Sequence, residues 1–158
     1  MESSSTALKE LTLESVKAEI YARNNPTLTP VDIELHAEVV YRILELKKKH
    51  NAVILGHNYM EPLVFGLSEQ GEQGDSLALS MSAAQADSDF IIFNGVRFMA
   101  EVAKILSPQK TVILPDINAG CSLEESCPAD QFEAFKKKYP DHIVLSYINC
   151  SAEIKALS

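Results

Sequence analysis

An α/β fold built on a short parallel sheet is what this sequence predicts, and three observations carry the prediction. Short apolar runs rich in β-branched residues recur at AVIL (52–55), DFIIF (89–93), TVIL (111–114) and HIVLSYI (142–148). Segments with helical spacing separate them, and that alternation is the pattern of parallel strands joined by crossover helices. Chemically useful side chains follow each run: His57, Asn58 and Tyr59, then Asn94 and Gly95, then Asp116, Asn118 and Cys121, and finally Tyr147 and Asn149.

Each element has a local reason. Leu13 to Arg23 reads as a short helix, and NNPTLT, Asn24 to Thr29, as a linker rich in helix breakers. Thr29, Pro30 and Asp32 form an N-cap, a first-turn proline and a capping-box acid. Behind them Ile33, Ala37, Val40, Ile43, Leu44 and Lys47 keep helical spacing, which predicts a helix from Pro30 to Lys49. Further helices are expected at Pro62–Gln70, Asp75–Ala86, Arg97–Leu106 and Pro128–Lys138, with Pro108 marking the stop of the third. The lysine runs 47–49 and 136–138 then fall near helix ends, where cations complement the dipole.

Composition narrows the function classes. The 158 residues are 46% hydrophobic, enough for a core, and carry a formal charge of -8, which argues against a nucleic-acid footprint. Three cysteines are too few for a disulfide framework and fit a reducing compartment. The apolar runs are too short to span a bilayer, and MESSSTALKE has neither the basic start nor the apolar core of a signal peptide. A cytoplasmic protein that binds neither nucleic acid nor membrane is expected.

In parallel α/β sheets the strand carboxyl ends share one edge with the helix amino-termini, and ligands bind there. The polar residues above should therefore converge on one cleft, as in an enzyme or a ligand-binding protein. His57 and Tyr59, two apart, would project to one face and suit acid/base work, with a surface histidine over a packed tyrosine as an equal alternative. In GEQGDSLALS (71–80), Ser76 and the first helical N–H groups could cradle an anion, but Asp75 as a plain N-cap is favoured. For Arg97 and Glu101 the spacing favours a solvated i, i+4 pair over an anion clamp, with Phe98 and Met99 in the core. Cys121 and Cys127 lack the spacing of a zinc knuckle or a redox dithiol, and Cys127 before Pro128 suits a helix entrance.

The order of motifs is more specific than any one of them. His57-Asn58-Tyr59, Gly74-Asp75-Ser76-Leu77, the run Gly95-Val96-Arg97-Phe98-Met99-Ala100-Glu101 to Pro108, Ala119-Gly120-Cys121-Ser122, and Tyr147-Ile148-Asn149 with Ser151-Ala152 closely resemble the quinolinate synthase family. The resemblance runs from about Asn51 to the last residue. It implies condensation of iminoaspartate with dihydroxyacetone phosphate to quinolinate, with loss of phosphate and two waters, in NAD biosynthesis, and functional coupling to L-aspartate oxidase. It also implies three similar α/β/α domains around a cleft, each giving one cysteine to a 4Fe-4S cluster whose fourth iron is a Lewis acid. By similarity Cys121 is the cluster ligand, His57, Tyr59 and Tyr147 are catalytic, and His57, Ser76, Tyr147 and Asn149 bind substrate. Phe98 and Met99 would line the cleft near the cluster.

On that resemblance residues 1–50 form an N-terminal helical extension, 51–140 the first α/β/α domain and 141–158 the opening of a truncated second one. Cys127 and Cys150 do not match the later cluster cysteines, and Cys150 falls where the family usually has threonine. The 158 residues alone should be inactive, with Val144 and Ile148 presenting uncovered apolar surface and favouring self-association. The competing readings are a non-catalytic flavodoxin-like module that binds a small anion, and a truncated product acting as an interaction piece.

Overall fold

The computed structural model describes residues 11–24, 28–69 and 71–158. Residues 25–27 of the expected linker lie outside them. Helices α1 (Leu13–Asn24) and α2 (Pro30–Lys49) come first. The start of α2 is the expected capping box: Thr29 N–H donates to Asp32 Oδ2 at 2.9 Å, and Asp32 N–H donates to Thr29 Oγ1 at 3.3 Å. Two donors that a helix start leaves open are thereby satisfied. Val16 and Ile20 of α1 pack with Ile33 and Val40 of α2, and Leu63 and Leu67 lie partly buried against them.

Four strands follow among the described residues: β1 (Ala52–His57), β2 (Gln73–Gly74), β3 (Phe90–Asn94) and β4 (Thr111–Ile113). They form one parallel sheet in the order β2-β1-β3-β4. Asn51 starts β1 from a left-handed backbone (φ 47°), which asparagine tolerates, and its side-chain amide donates to Asp89 Oδ2 at 3.2 Å. Asp89 N–H in turn donates to Asn51 O, so the register of β1 and β3 is pinned at its first rung.

Helices α4 (Ser76–Gln85) and α5 (Arg97–Leu106) return the chain between strands, with short α3 (Pro62–Phe65) before β2. Val53 and Leu55 of β1 and Ile91 and Phe93 of β3 pack with Leu79, Ala83, Phe98, Met99 and Ala103 in one core. The alternate residues Ile54 and Ile92 face the other way, and helices lie on both sides of the sheet. The parallel strands with crossover helices are therefore those the alternating pattern predicted, and the three-layer arrangement is the one the family resemblance implied.

Three expectations fail locally. HIVLSYI (142–148) forms no strand and joins no ladder among the described residues, because β-branched runs state a preference for strand geometry and not a partner edge. Its most exposed large apolar residues are Ile143 and Leu145, at 98% and 97%, whereas Val144 is half-buried and Ile148 is 47% exposed. The expected helix Pro62–Gln70 stops at Phe65, and β2 forms where no apolar run announced it. Gln73 carries that strand into place, since its side-chain amide donates to Phe65 O and Ser68 O at 2.9 and 3.1 Å.

Helices α6 (Ser122–Glu125), α7 (Ala129–Lys136) and α8 (Ala152–Ala156) complete the described elements. Cys127 stands just before the N-cap Pro128 of α7, as its sequence position suggested. Lys47, Lys48 and Lys49 occupy the last turn of α2, and Lys136 that of α7.

Candidate functional site

All four strands run the same way, so His57, Gly74 and Asn94 close neighbouring strands at one edge. The chain leaving β4 turns at Asp116, whose carboxylate accepts from Asn118 N–H at 2.9 Å, and reaches Cys121 at the N-cap of α6. Arg97 N–H, at the start of α5, donates to Ala119 O at 2.8 Å and ties that turn back to the same edge.

His57 is 4% exposed, and its neighbour two residues on, Tyr59, is 82% exposed. The rings nevertheless touch, 4.3 Å between centroids and 70° between planes. Tyr59 N–H donates to His57 Nδ1 at 3.2 Å. An accepting Nδ1 places the proton of the neutral imidazole on Nε2, which leaves His57 a hydrogen-bond donor there. Burial holds its pKa below the usual histidine value, opposed in part by the negative charge of Asp75. A buried, neutral, oriented imidazole beneath an exposed phenol is suited to donating to an oxygen of a bound molecule and to moving a proton.

Beside it, Asp75 is the N-cap of α4: Oδ1 accepts from Leu77 N–H at 3.0 Å and from Ala78 N–H at 2.9 Å. Two first-turn donors of the envisaged anion cradle are thus taken by a carboxylate. Ser76, the first helical residue, is half-buried, and its Oγ makes no hydrogen bond among the described residues.

Arg97 departs from the expected solvated pair. Its Nε and Nη2 both donate to Glu124 Oε1, at 3.2 and 2.9 Å, while Glu101 lies at 3.8 Å. Glu124 has a side chain only 2% exposed, and this carboxylate raises the pKa of Arg97. Its other oxygen, Oε2, is buried without a partner among the described residues. Glu101 serves elsewhere, accepting from Ala152 N–H at 2.7 Å at the start of α8. Glu124 has no local signature, because its partner is 27 residues away, and only its place three residues after Cys121 hinted at it.

Tyr147 and Asn149 sit apart from these groups. They line an open groove of about 580 Å³ together with Cys127, Cys150, Phe135 and Tyr139. His57, Tyr59, Ser76 and Cys121 are not among its walls. The contacts in the structure thus join His57, Tyr59 and the Asp75–Ser76 turn, put Cys121 on the same sheet edge, and leave Tyr147 and Asn149 in the groove.

Cys121 is a free, half-buried thiol resting against the core of the sheet domain, while Phe98 and Met99 are buried inside that core. Among the described residues no three histidine, cysteine or acidic side chains gather as a metal site. The donor set suits one thiolate of a larger cluster and not a complete one. No described helix is long and apolar enough to cross a membrane.

Comparison with known proteins gives this edge its context. The family model described as NadA, quinolinate synthetase A protein, matches residues 41–158. A curated protein of Thermosynechococcus vestitus named quinolinate synthase is 56% identical over 132 residues, covering 84% of this chain and 41% of that protein. Proteins of the same name from Gloeothece citriformis and a Nostoc species are 53% identical over 133 residues and 60% identical over 116. They are covered to 41% and 35% of their lengths, against 84% and 73% of this chain. The chain thus spans about two-fifths of the length of the curated relatives it matches. With three quarters of its residues inside the family match and the parallel sheet edge bearing the motifs, the chain belongs to the quinolinate synthase family.

Proposed function

We propose that this chain forms part of an enzyme condensing iminoaspartate with dihydroxyacetone phosphate to quinolinate, releasing phosphate and water, in de novo NAD biosynthesis. The buried, Nε2-protonated His57 under Tyr59 at the sheet's carboxyl edge is the observation that supports it most. Here His57 Nε2–H donates to a substrate oxygen and assists proton transfer, and the Tyr59 phenol closes over the bound molecule. Ser76 Oγ, with no partner among the described residues, donates to a substrate carboxylate. Tyr147 and Asn149 position the intermediate once their segment is brought against the edge.

Cys121 supplies one thiolate to a 4Fe-4S cluster, the other donors coming from polypeptide that the relatives contain beyond the span matched here. When bound, such a cluster with one iron free of protein ligands supplies Lewis acidity. Cys127 and Cys150 take no part, since they face the separate groove. Iminoaspartate is an imine that water hydrolyses, which supports coupling to L-aspartate oxidase in the cytoplasm. By this reading the 158 residues alone are inactive. Residues 51–140 act as the first of three similar domains, after a helical extension and before the opening of a second.

The test is anaerobic reconstitution of the full-length protein and its Cys121→Ala variant, with turnover measured alongside for His57→Asn. Loss of iron–sulfur absorption in the first and of turnover in both is expected. Equal cluster assembly in wild type and Cys121→Ala would remove Cys121 from the ligand set. Binding of small anions without turnover in the intact protein would favour the non-catalytic module, against which the capping of the α4 start by Asp75 already counts.

A further inference from the structure

The Arg97–Glu124 pair is the feature of the molecule that the roles above leave unused. Three bonds run from one residue to the turn that carries Cys121. Arg97 N–H holds Ala119 O two residues before the cysteine, and Nε and Nη2 both hold Glu124 Oε1 three residues after it. Between these anchors Cys121 has no side-chain capping bond of its own. The first turn of α5 therefore grips both ends of a six-residue segment whose middle is held besides by Glu125 N–H on Cys121 O and by the packing of Cys121 against the core.

The cost of this arrangement argues against an incidental contact. Glu124 is a carboxylate with a 2% exposed side chain and a second oxygen that is buried and unpartnered among the described residues. A surface ion pair would need no such burial, and a buried acid is strongly disfavoured unless a cation holds it. Arg97 is that cation, and its two donors converge on one oxygen, Oε1, which fixes where that oxygen stands against the guanidinium.

We infer that Arg97 is a positioning residue, which through Ala119 and Glu124 sets where the Cys121 thiol stands at the sheet edge. The inference rests on the reading of Cys121 as a cluster ligand for its purpose, though not for its geometry. Arg97 touches neither substrate nor cluster in this role. Cys150 provides an internal contrast, since it lies beside α8, whose start is held by Glu101 rather than Arg97.

Two measurements on the full-length protein separate the two ideas. In the cluster-free protein kept reduced, alkylation of Cys121 by iodoacetamide, read by mass spectrometry, should accelerate about tenfold in Arg97→Gln and about threefold in Glu124→Gln, as local opening becomes easier. Arg97→Lys, which can still donate to the single oxygen Oε1, should restore most of the wild-type rate. Alkylation of Cys150 should stay unchanged in all three. In the reconstituted protein, iron release to a chelator should quicken in the same order. An unchanged Cys121 rate, or an increase matched at Cys150, overturns the positioning role whatever the cluster does. If alkylation shifts as stated but the cluster forms without Cys121, the positioning stands and the ligand assignment falls.

Discussion

The backbone N–H of Tyr59 donates to His57 Nδ1 at 3.2 Å while the tyrosine ring lies edge-on against the imidazole. One residue thus fixes the tautomer of its neighbour and shields it. Protonating Nδ1 would cost that acceptor, in the same direction as the burial that already depresses the His57 pKa.

Acid should therefore destabilise the fold through His57. The folded pKa lies below the unfolded one, so the unfolded state binds more protons and stability rises with pH. The contribution is complete above the unfolded value near about 6.5 and is lost as pH falls through the folded value. Urea midpoints taken between about pH 7 and pH 5 should drop more steeply for wild type than for His57→Gln. Equal slopes would mean that His57 is not held neutral.

Asp75 acts on the same ring and on α4. Asp75→Ala removes the acceptor of two first-turn N–H groups and should cost about 1 kcal/mol. It also removes the charge that raises the His57 pKa, so the imidazole should titrate lower still in an NMR series. An upward move would show that another group governs His57.

Gly56 leaves no room beside His57. A Cβ there would stand 2.6 Å from Ser68 Oγ and 3.5 Å from Phe65 Cδ2, with Ser68 fully buried. Gly56→Ala should lower unfolding free energy by about 1–3 kcal/mol. A denaturant curve that superimposes on wild type would show that α3 yields freely.

Ile143 and Leu145 stand almost fully in solvent on a segment that joins no ladder among the described residues. Such a segment invites a second chain. The 158-residue chain should show a sedimentation mass that rises with concentration, and Ile143→Ser with Leu145→Ser should suppress the rise. A monomer at all concentrations would mean that this surface is inert.

Helices α2, α4 and α5 were legible because their signals are local. The box of Thr29 and Asp32, the cap Asp75 and the apolar spacing through Phe98 and Val102 all lie within a turn or two of the elements they define. Strands β1, β3 and β4 were legible from apolar runs bounded by turn residues. Strand β2 was not, because two residues held by the Gln73 side chain leave no period to read. The spacing of His57 and Tyr59 left their contact an even choice, and the turn after β1, with Tyr59 N–H on His57 Nδ1, decides it. Glu124 as the partner of Arg97 does not, since residues 27 apart meet only through the return of the chain over the sheet.

By itself the sequence determined the parallel strands with crossover helices and the edge on which His57 and Cys121 fall, because short-range periodicity and chain direction dictate these, while the order of its motifs gave the family and with it the layering. Tertiary structure alone decided that His57 is buried and neutral at Nδ1, that Arg97 grips the Cys121 turn, and that 142–148 joins no ladder among the described residues. Burial, desolvation and strand pairing are properties of surfaces brought together from distant parts of the chain, and no local pattern carries them.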